Sequence, residues 1–151
     1  MSGSKSQNNS AHFQFFKTDT EAGKTPLDLY SFRIPAGFPS PAEDFKEDTL
    51  DLNDYLIKNK SATFLVKVTG TSMEGAGIFD EDVLIVDRAA EISDGKIVLG
   101  VLNGEFTVKR LKKEKERLIL LPENSNFKPI EISEETDFKI WGVVTFCLHK
   151  L

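Results

Sequence analysis

The sequence contains very little cysteine and histidine, and this scarcity excludes several kinds of chemistry. Cys147 is the only cysteine among 151 residues, so the chain cannot form an intramolecular disulfide or a thiolate metal cluster. The histidines are His12, in a polar N-terminal stretch, and His149, close to the end of the chain. A zinc site or a Ser-His-Asp triad would need one of these two residues, so neither a metal nor another cofactor is expected. Cys147 lies in an apolar run, where a buried core thiol is its expected role.

Long apolar runs and excess positive charge are also lacking. No apolar run approaches the roughly 20 residues that a membrane-crossing helix needs, and residues 1–10 lack the apolar core of a signal peptide. We therefore expect a cytoplasmic protein without a membrane partner. The formal net charge is −5, which disfavours direct binding of DNA through its phosphates. Hydrophobic residues make up 40% of the chain, enough for the core of one domain with a short appendage.

The first 36 residues differ in composition from the rest and are predicted to form a flexible arm. Residues 1–9 are polar and are expected to be disordered, whereas residues 12–16 (His-Phe-Gln-Phe-Phe) form an aromatic patch that is able to pair or dock. Residues 35–41 read Pro-Ala-Gly-Phe-Pro-Ser-Pro, and three prolines in seven residues forbid a regular helix or a central strand. An extended segment of this kind is either a linker or a protease substrate.

Beyond the arm, the hydrophobic pattern predicts one short helix followed by strands. Asp51 suits the N-cap of a helix over 51–59, with Lys58 in its last turn. Six β-branched or aromatic runs follow, separated by turn signals, and Asn103-Gly104 predicts a type I′ hairpin. The predicted strands cover 63–69, 83–87, 96–102, 105–111, 117–121 and 138–147. The fold class is therefore mostly β, a compact antiparallel domain over 37–151 with one short helix.

Two polar residues are candidates for catalysis, and each has a plainer interpretation. Ser72 lies in Gly70-Thr-Ser-Met73 after a predicted strand, where a Gly/Ser turn either exposes a hydroxyl and amides for an oxyanion or simply caps the chain. Lys109 shares a strand face with Thr107 and either opens a solvated charged run or acts as a base. A lysine with the ordinary pKa of about 10.4 is protonated at pH 7, so a basic role requires a desolvated amine. Pattern alone leaves both questions open.

Several motifs in the same order resemble the LexA/UmuD family of self-cleaving serine peptidases. The resemblance covers about 120 residues, from about Ser31 to the C-terminus. The residues that carry it are Ala36-Gly37-Phe-Pro-Ser-Pro-Ala42, Gly70-Thr-Ser72-Met73, Asp82-Val-Leu-Ile-Val-Asp87, Gly104-Glu-Phe-Thr-Val-Lys109-Arg-Leu111, Pro122-Glu-Asn-Ser-Asn-Phe127 and Gly142-Val-Val144.

The resemblance implies a fold, an activity and a set of site residues. By it, Ser72 is the nucleophile and Lys109 its base, the bond between Ala36 and Gly37 is cut, and the amides of Thr71 and Ser72 form the oxyanion hole. The fold implied is the compact β domain of the LexA/signal-peptidase-like type. Residues 1–36 would be removed, leaving 37–151. The implied partners are a second copy in a homodimer, a RecA filament on single-stranded DNA that stimulates cleavage, and the error-prone polymerase UmuC in translesion synthesis during the SOS response.

Within this family the chain is more similar to the UmuD branch than to LexA. The 36 residues before the cut site lack the periodic helices of a helix-turn-helix domain, and Gly37-Phe-Pro-Ser-Pro-Ala-Glu-Asp44 is similar to UmuD. Two features depart from that branch: the Ala-Gly dipeptide is LexA-like, and the leader is about a dozen residues longer. Two alternatives remain, a LexA-type repressor fragment without its DNA-binding head and a non-catalytic β binding module. Cleavage in cis or in trans also stays open.

Overall fold

Ten strands, one α-helix and two short 3-10 helices make up the described part of the chain. The computed structural model describes residues 14–17, 23–30, 36–37 and 46–151. The helix α1 spans Leu52–Leu56, and the 3-10 helices span Lys60–Ala62 and Glu74–Ala76. In chain order the strands are β1 Gln14–Lys17, β2 Pro26–Tyr30, β3 Lys46–Asp51, β4 Thr63–Lys67, β5 Val83–Asp87, β6 Ile97–Leu102, β7 Glu105–Glu114, β8 Arg117–Leu121, β9 Ile130–Ile132 and β10 Phe138–Leu148. Over these residues, no helix is long and apolar enough to cross a bilayer.

Eight of the strands form one sheet in the order β1-β4-β5-β10-β6-β7-β8-β9, and β2 pairs with β3 in a separate sheet. Every pairing is antiparallel. The long C-terminal strand β10 lies between β5 and β6 and joins the two halves of the large sheet. The predicted class, mostly antiparallel β with one short helix, is confirmed.

Both faces of the large sheet carry buried side chains, because successive residues of a strand point to opposite faces. On β6, Leu99 belongs to one buried cluster and its neighbour Val98 to the other. The first cluster comprises Val66, Val68, Met73, Ile78, Leu84, Val86, Leu99 and Val108, and the second comprises Val98, Leu111, Leu120 and Val143. Burying one such aliphatic side chain stabilises the fold by about 1.5–3 kcal/mol. The first cluster lies beneath the candidate site.

The predicted strands agree with the observed ones, with boundary shifts that have local causes. The limits of β5 and β8 are as predicted. The strand β4 ends at Lys67 instead of residue 69, ahead of a turn in which Gly70 has φ +101°. The strand β7 continues to Glu114, because the charged run forms a hairpin that turns at Lys115. The pattern did not predict β9, which has three residues, or β2 and β3.

The structure confirms the predicted hairpin turn and the predicted N-cap of the helix. Asn103 and Gly104 have φ angles of +48° and +82°, as a type I′ hairpin requires at both central positions. The Asp51 carboxylate accepts hydrogen bonds from the amides of Asn53 and Asp54, which confirms it as the N-cap of α1. The predicted helix was too long: it ends at Leu56, and Lys58 lies beyond its last turn.

The arm is described only in part. The last three residues of the predicted aromatic patch, 14–16, lie in β1, which pairs with the edge of β4. His12 and Phe13 lie outside the described residues, as do the stretch 1–9 predicted to be disordered and most of the proline-rich segment 35–41.

Candidate active site

The candidate nucleophile Ser72 lies in the loop that follows β4. Gly70 has φ +101°, a value that favours glycine, and its amide donates to the Asp80 carboxylate across 2.8 Å. Met73 is 4% exposed and belongs to the first core cluster, so it anchors the loop to the sheet. Ser72 is half-buried beside this anchor, and Thr71 is exposed.

Lys109 extends from β7 to the loop that contains the candidate nucleophile. This loop, residues 68–82, connects β4 and β5 and is called the nucleophile loop below. Its Nζ donates a hydrogen bond to Ser72 Oγ across 3.1 Å. The same Nζ lies 3.1 Å from Thr107 Oγ1 and 3.0 Å from the Val108 carbonyl oxygen. The contact with Thr107 agrees with the prediction that Thr107 and Lys109 share a strand face. Three oxygen neighbours fix the amine at the position from which it faces the hydroxyl.

The burial of Lys109 makes its amine easier to deprotonate than that of a free lysine. Burial lowers the pKa of the amine below its ordinary value. Within the described ranges, no carboxylate forms an ion pair with Lys109 that would raise the pKa again. The side chain of Lys109 is therefore partly buried rather than fully solvated. A desolvated amine hydrogen-bonded to a hydroxyl is the arrangement in which a lysine acts as a general base.

A small open cleft of about 80 Å³ lies in front of the two side chains. Its walls are a stretch of the loop after β4, Ile78, and part of β7. The lining residues are Val68, Thr69, Gly70, Ser72, Met73, Ile78, Phe106, Thr107, Val108 and Lys109. This volume and the apolar wall suit a small apolar side chain.

The connection between β8 and β9 holds the nucleophile loop from the other side. The Glu123 amide donates to the Ser72 carbonyl across 2.8 Å, and the Asn124 side-chain amide donates to the Thr71 carbonyl across 2.9 Å. The Gly75 amide donates back to the Glu123 carbonyl across 2.7 Å. Sequence reasoning used the Pro122–Phe127 motif only for the family resemblance and missed these contacts. The sequence does carry a signal for these contacts, because the polar pair Glu123-Asn124 directly follows Pro122 at the end of a predicted strand.

The candidate cut site is not seated in this cleft. Ala36 and Gly37 form an exposed bend, and neither is among the residues that line the cleft. Nothing else in the described part of the chain lies within 4 Å of where a Cβ on Gly37 would be. The structure therefore brings Ser72 and Lys109 together and leaves the Ala36–Gly37 bond apart from them.

The oxyanion candidates and Cys147 complete the set of predicted residues. Within the described part of the chain, the Thr71 and Ser72 amides donate to no other protein atom. Cys147 packs against the first core cluster and its thiol donates to Asp82 across 3.2 Å, so it is a partly buried core thiol. His149 Nδ1 lies 2.6 Å from the other oxygen of Asp82. Among the described residues, no group of three His, Cys, Asp or Glu side chains is arranged to hold a metal ion.

Comparison with known proteins gives one matching family and close relatives. A family model described as Peptidase S24-like matches residues 28–145. The protein SamA of Salmonella typhimurium strain LT2 is 44% identical over 132 residues, covering 87% of this chain and 91% of SamA. The protein MucA of Escherichia coli is 43% identical over 81% of this chain and 84% of MucA. A LexA repressor of Acidithiobacillus ferrooxidans is 42% identical over 78% of this chain and 58% of that repressor.

Proposed function

The chain belongs to the Peptidase S24-like family of serine peptidases, as a UmuD-like member, and from that premise we propose that it cleaves itself between Ala36 and Gly37. Ser72 is the nucleophile and Lys109 the general base in this proposal. The observation that carries it is the 3.1 Å contact between Lys109 Nζ and Ser72 Oγ. Burial lowers the pKa of this amine, so a larger fraction of it is neutral than in a free lysine.

The reaction proceeds in two steps through a covalent ester. Neutral Lys109 takes the hydroxyl proton of Ser72 while Oγ attacks the Ala36 carbonyl carbon, and the resulting ammonium then gives its proton to the departing amine of Gly37. The amides of Thr71 and Ser72 stabilise the oxyanion. Lys109 then deprotonates a water molecule, which attacks the ester. The Ser72 oxygen leaves and takes this proton back from the Lys109 ammonium, and Ala36 is released as a carboxylic acid that ionises in water. The products are residues 1–36 and the domain 37–151.

The size of the cleft favours the Ala-Gly dipeptide. Entry of the arm into this cleft is the step at which cleavage is controlled. The small cleft of about 80 Å³ has room for the Ala36 methyl group, and Gly37 brings no side chain beside the nucleophile. Because the substrate is part of the same protein, its effective concentration is high whenever the bend at 36–37 enters the cleft. That bend is exposed and does not line the cleft, an observation that supports control of the reaction at this step.

We assign the chain to SOS mutagenesis, on its similarity to UmuD-like relatives. In this assignment a RecA filament on single-stranded DNA favours the state in which the arm occupies the cleft. The shortened form, as a homodimer, then acts with an error-prone polymerase of the UmuC type in translesion synthesis.

The test is the intact mass of the protein after incubation at pH 7 and pH 10, for the unsubstituted chain, Ser72→Ala and Lys109→Ala. We expect a product that begins at Gly37, formed faster at pH 10, and no product from either variant. Lys113→Ala is the matched control, since it makes the same change to an exposed lysine of the same strand that does not line the cleft, and it should cleave like the unsubstituted chain. If no product forms at either pH, the incubation is repeated with RecA, ATP and single-stranded DNA. An unsubstituted chain that stays intact there as well would overturn the peptidase assignment and favour a binding module.

A separate mixing experiment decides between cleavage in cis and in trans. Ser72→Ala keeps the base and Lys109→Ala keeps the nucleophile, and each keeps an intact cut site. In a mixture of these two variants, no chain has both Ser72 and Lys109 in its cleft. Such a mixture therefore stays intact whether cleavage is in cis or in trans. A mixture of Ser72→Ala with the unsubstituted chain is informative: a cut Ser72→Ala chain requires the cleft of another subunit.

A further inference from the structure

The loop between β8 and β9 contacts two successive carbonyl groups of the nucleophile loop. Asn124 Nδ2 donates to the Thr71 carbonyl across 2.9 Å, and the Glu123 amide donates to the Ser72 carbonyl across 2.8 Å. The Thr71 carbonyl has a second, longer partner in the Glu74 amide at 3.3 Å. The donors Glu123 and Asn124 therefore act on the two peptide groups that flank the Cα of Ser72.

These contacts set the direction of an amide as well as of a carbonyl. In a trans peptide group the C=O and the following N–H point in opposite directions within one plane. The carbonyl of Thr71 and the amide of Ser72 belong to the same group. Because Asn124 holds that carbonyl toward the β8–β9 loop, the amide of Ser72 is directed away from it. Within the described residues this amide has no protein acceptor, so it is available to an external oxygen.

The loop that supplies these donors is itself fixed to the strand that carries the base. Arg110, next to Lys109 on β7, donates from Nε to the Glu123 carboxylate and from Nη1 to the Gly95 carbonyl across 2.7 Å. The Gly75 amide also donates to the Glu123 carbonyl across 2.7 Å. The β8–β9 loop thus connects the base strand and the nucleophile loop through short polar contacts at both ends.

Resting on the proposed function, we propose that Asn124 is a positioning residue, which orients the Ser72 amide for the oxyanion by holding the Thr71 carbonyl. Asn124 does not touch the reacting atoms in this assignment, and it acts through the peptide group between Thr71 and Ser72. Preorganised amide donors contribute to catalysis only when they already point at the position of the developing charge. Loss of the Asn124 contact leaves the Thr71 carbonyl with the longer contact from the Glu74 amide, which holds the peptide group less firmly, and the rate falls.

The side chain of Asn124 offers a selective substitution. Its Oδ1 accepts from the Asn126 amide across 3.0 Å, and its Nδ2 makes the contact with Thr71. Asn124→Asp keeps an acceptor for Asn126 and removes the donor to Thr71. Asn126→Asp is the matched control, because it places the same new charge on an exposed residue of the same loop and leaves the donor in place. Asn124→Ala, which is neutral, separates loss of the donor from gain of charge.

The measurement is the self-cleavage rate between pH 6 and pH 11 together with thermal unfolding. We expect Asn124→Asp and Asn124→Ala to lower the high-pH plateau at least about tenfold, below the roughly 100- to 1000-fold loss from deleting an oxyanion donor. We expect the midpoint of the Asn124→Ala profile to stay at the wild-type pH, since Lys109 is unaltered. Asn126→Asp should cleave at the wild-type rate. A plateau unchanged in both Asn124 variants, or an Asn124→Ala effect confined to the midpoint, would overturn the inference.

A readout independent of catalysis separates this inference from the proposed function. In a Ser72→Ala background, hydrogen exchange of the Glu123 and Gly75 amides reports whether the two loops stay joined. If these amides exchange faster in a folded Asn124→Asp variant, the result supports the positioning role of Asn124. Unchanged exchange opposes that role. Failure of the unsubstituted chain to cleave under any condition overturns the proposed function instead. If an Asn124 variant does not fold, Asn124→Ser provides the neutral substitution with the smaller loss of polar contact.

Discussion

Lys109 places its Nζ 3.1 Å from Ser72 Oγ although 37 residues separate them in the sequence. The amine is half-buried and has three oxygen neighbours, and no carboxylate of the described chain pairs with it. Burial lowers its pKa, and this direction has a consequence for the pH dependence of cleavage.

Self-cleavage should rise with pH and level off below the ordinary lysine pKa of about 10.4. The active form of the base is the neutral amine, and a pKa lowered by burial increases the neutral fraction at every pH below the plateau. In the rising part, the rate should increase about tenfold per pH unit, as expected for loss of a single proton. The measurement is the rate constant from intact mass between pH 6 and pH 11. A rate that stays flat from pH 7 to pH 10 would contradict Lys109 as the base.

Gly75→Ala should damage both the nucleophile loop and the fold. A Cβ on Gly75 would lie 2.5 Å from the Glu123 carbonyl oxygen, which cannot retreat without losing its 2.7 Å hydrogen bond from the Gly75 amide. Overpacking of this kind typically costs about 1–3 kcal/mol of unfolding free energy. We expect a lower midpoint in chemical denaturation and a cleavage rate reduced at least about tenfold, the equivalent of about 1.4 kcal/mol in the barrier. Gly23→Ala is the control, because in the described part of the chain, apart from its two sequence neighbours, nothing lies within 4 Å of its Cβ position. Equal rates and midpoints in both variants would show that the loop accommodates the methyl group.

Cys147 should react slowly with alkylating reagents while the protein is folded. Burial and the adjacent Asp82 carboxylate raise the pKa of its thiol to about 12. At pH 8 the thiolate fraction is then about three orders of magnitude below that of a free cysteine with a pKa of about 8.5. Iodoacetamide labelling followed by mass spectrometry measures the rate. Asp82→Asn removes the neighbouring negative charge and should accelerate labelling, whereas Glu81→Gln removes an exposed charge and should not. Fast labelling of the unsubstituted folded chain would show that the thiol is accessible as a thiolate.

Release of the arm should uncover the edge of β4. The strand β1 covers this edge with four residues, in a register that pairs Gln14 with Lys67 and Lys17 with Phe64. Once the chain is cut after residue 36, the fragment is tied to the domain by the four pairing residues of β1 and the five of β2. Ordering each residue costs about 1–2 kcal/mol, so we expect the fragment to dissociate. Alternate amides of β4 should therefore exchange faster in the 37–151 product than in intact Ser72→Ala. The amides of β5, an interior strand, serve as the internal reference. Equal protection of β4 before and after cleavage would mean that β1 does not shield this edge.

Local features of the fold followed from the sequence. The Asp51 cap, the Asn103-Gly104 hairpin and the limits of β5 depend on neighbouring residues, whose side chains and φ preferences act over a few positions. The three-residue strand β9 was missed because so short a run carries little periodic signal, and its pairing with β8 is what defines it. The over-long helix has a related cause, since Lys58 fits a helical last turn but the backbone is already extended at Ile57.

The candidate site likewise has features that the sequence predicts and features that depend on the fold. The sequence indicated Ser72 and Lys109 as candidates, through a resemblance carried by motifs in a fixed order, and it predicted an acidic domain with little metal-binding chemistry. Three features depend on the tertiary fold: these two side chains meet, the amine is partly desolvated, and Asn124 contacts Thr71 across 53 positions. Burial and hydrogen bonding between distant residues depend on which strands become neighbours. In this protein β4 and β7 come from separate parts of one sheet, and no local pattern specifies the distance between their ends.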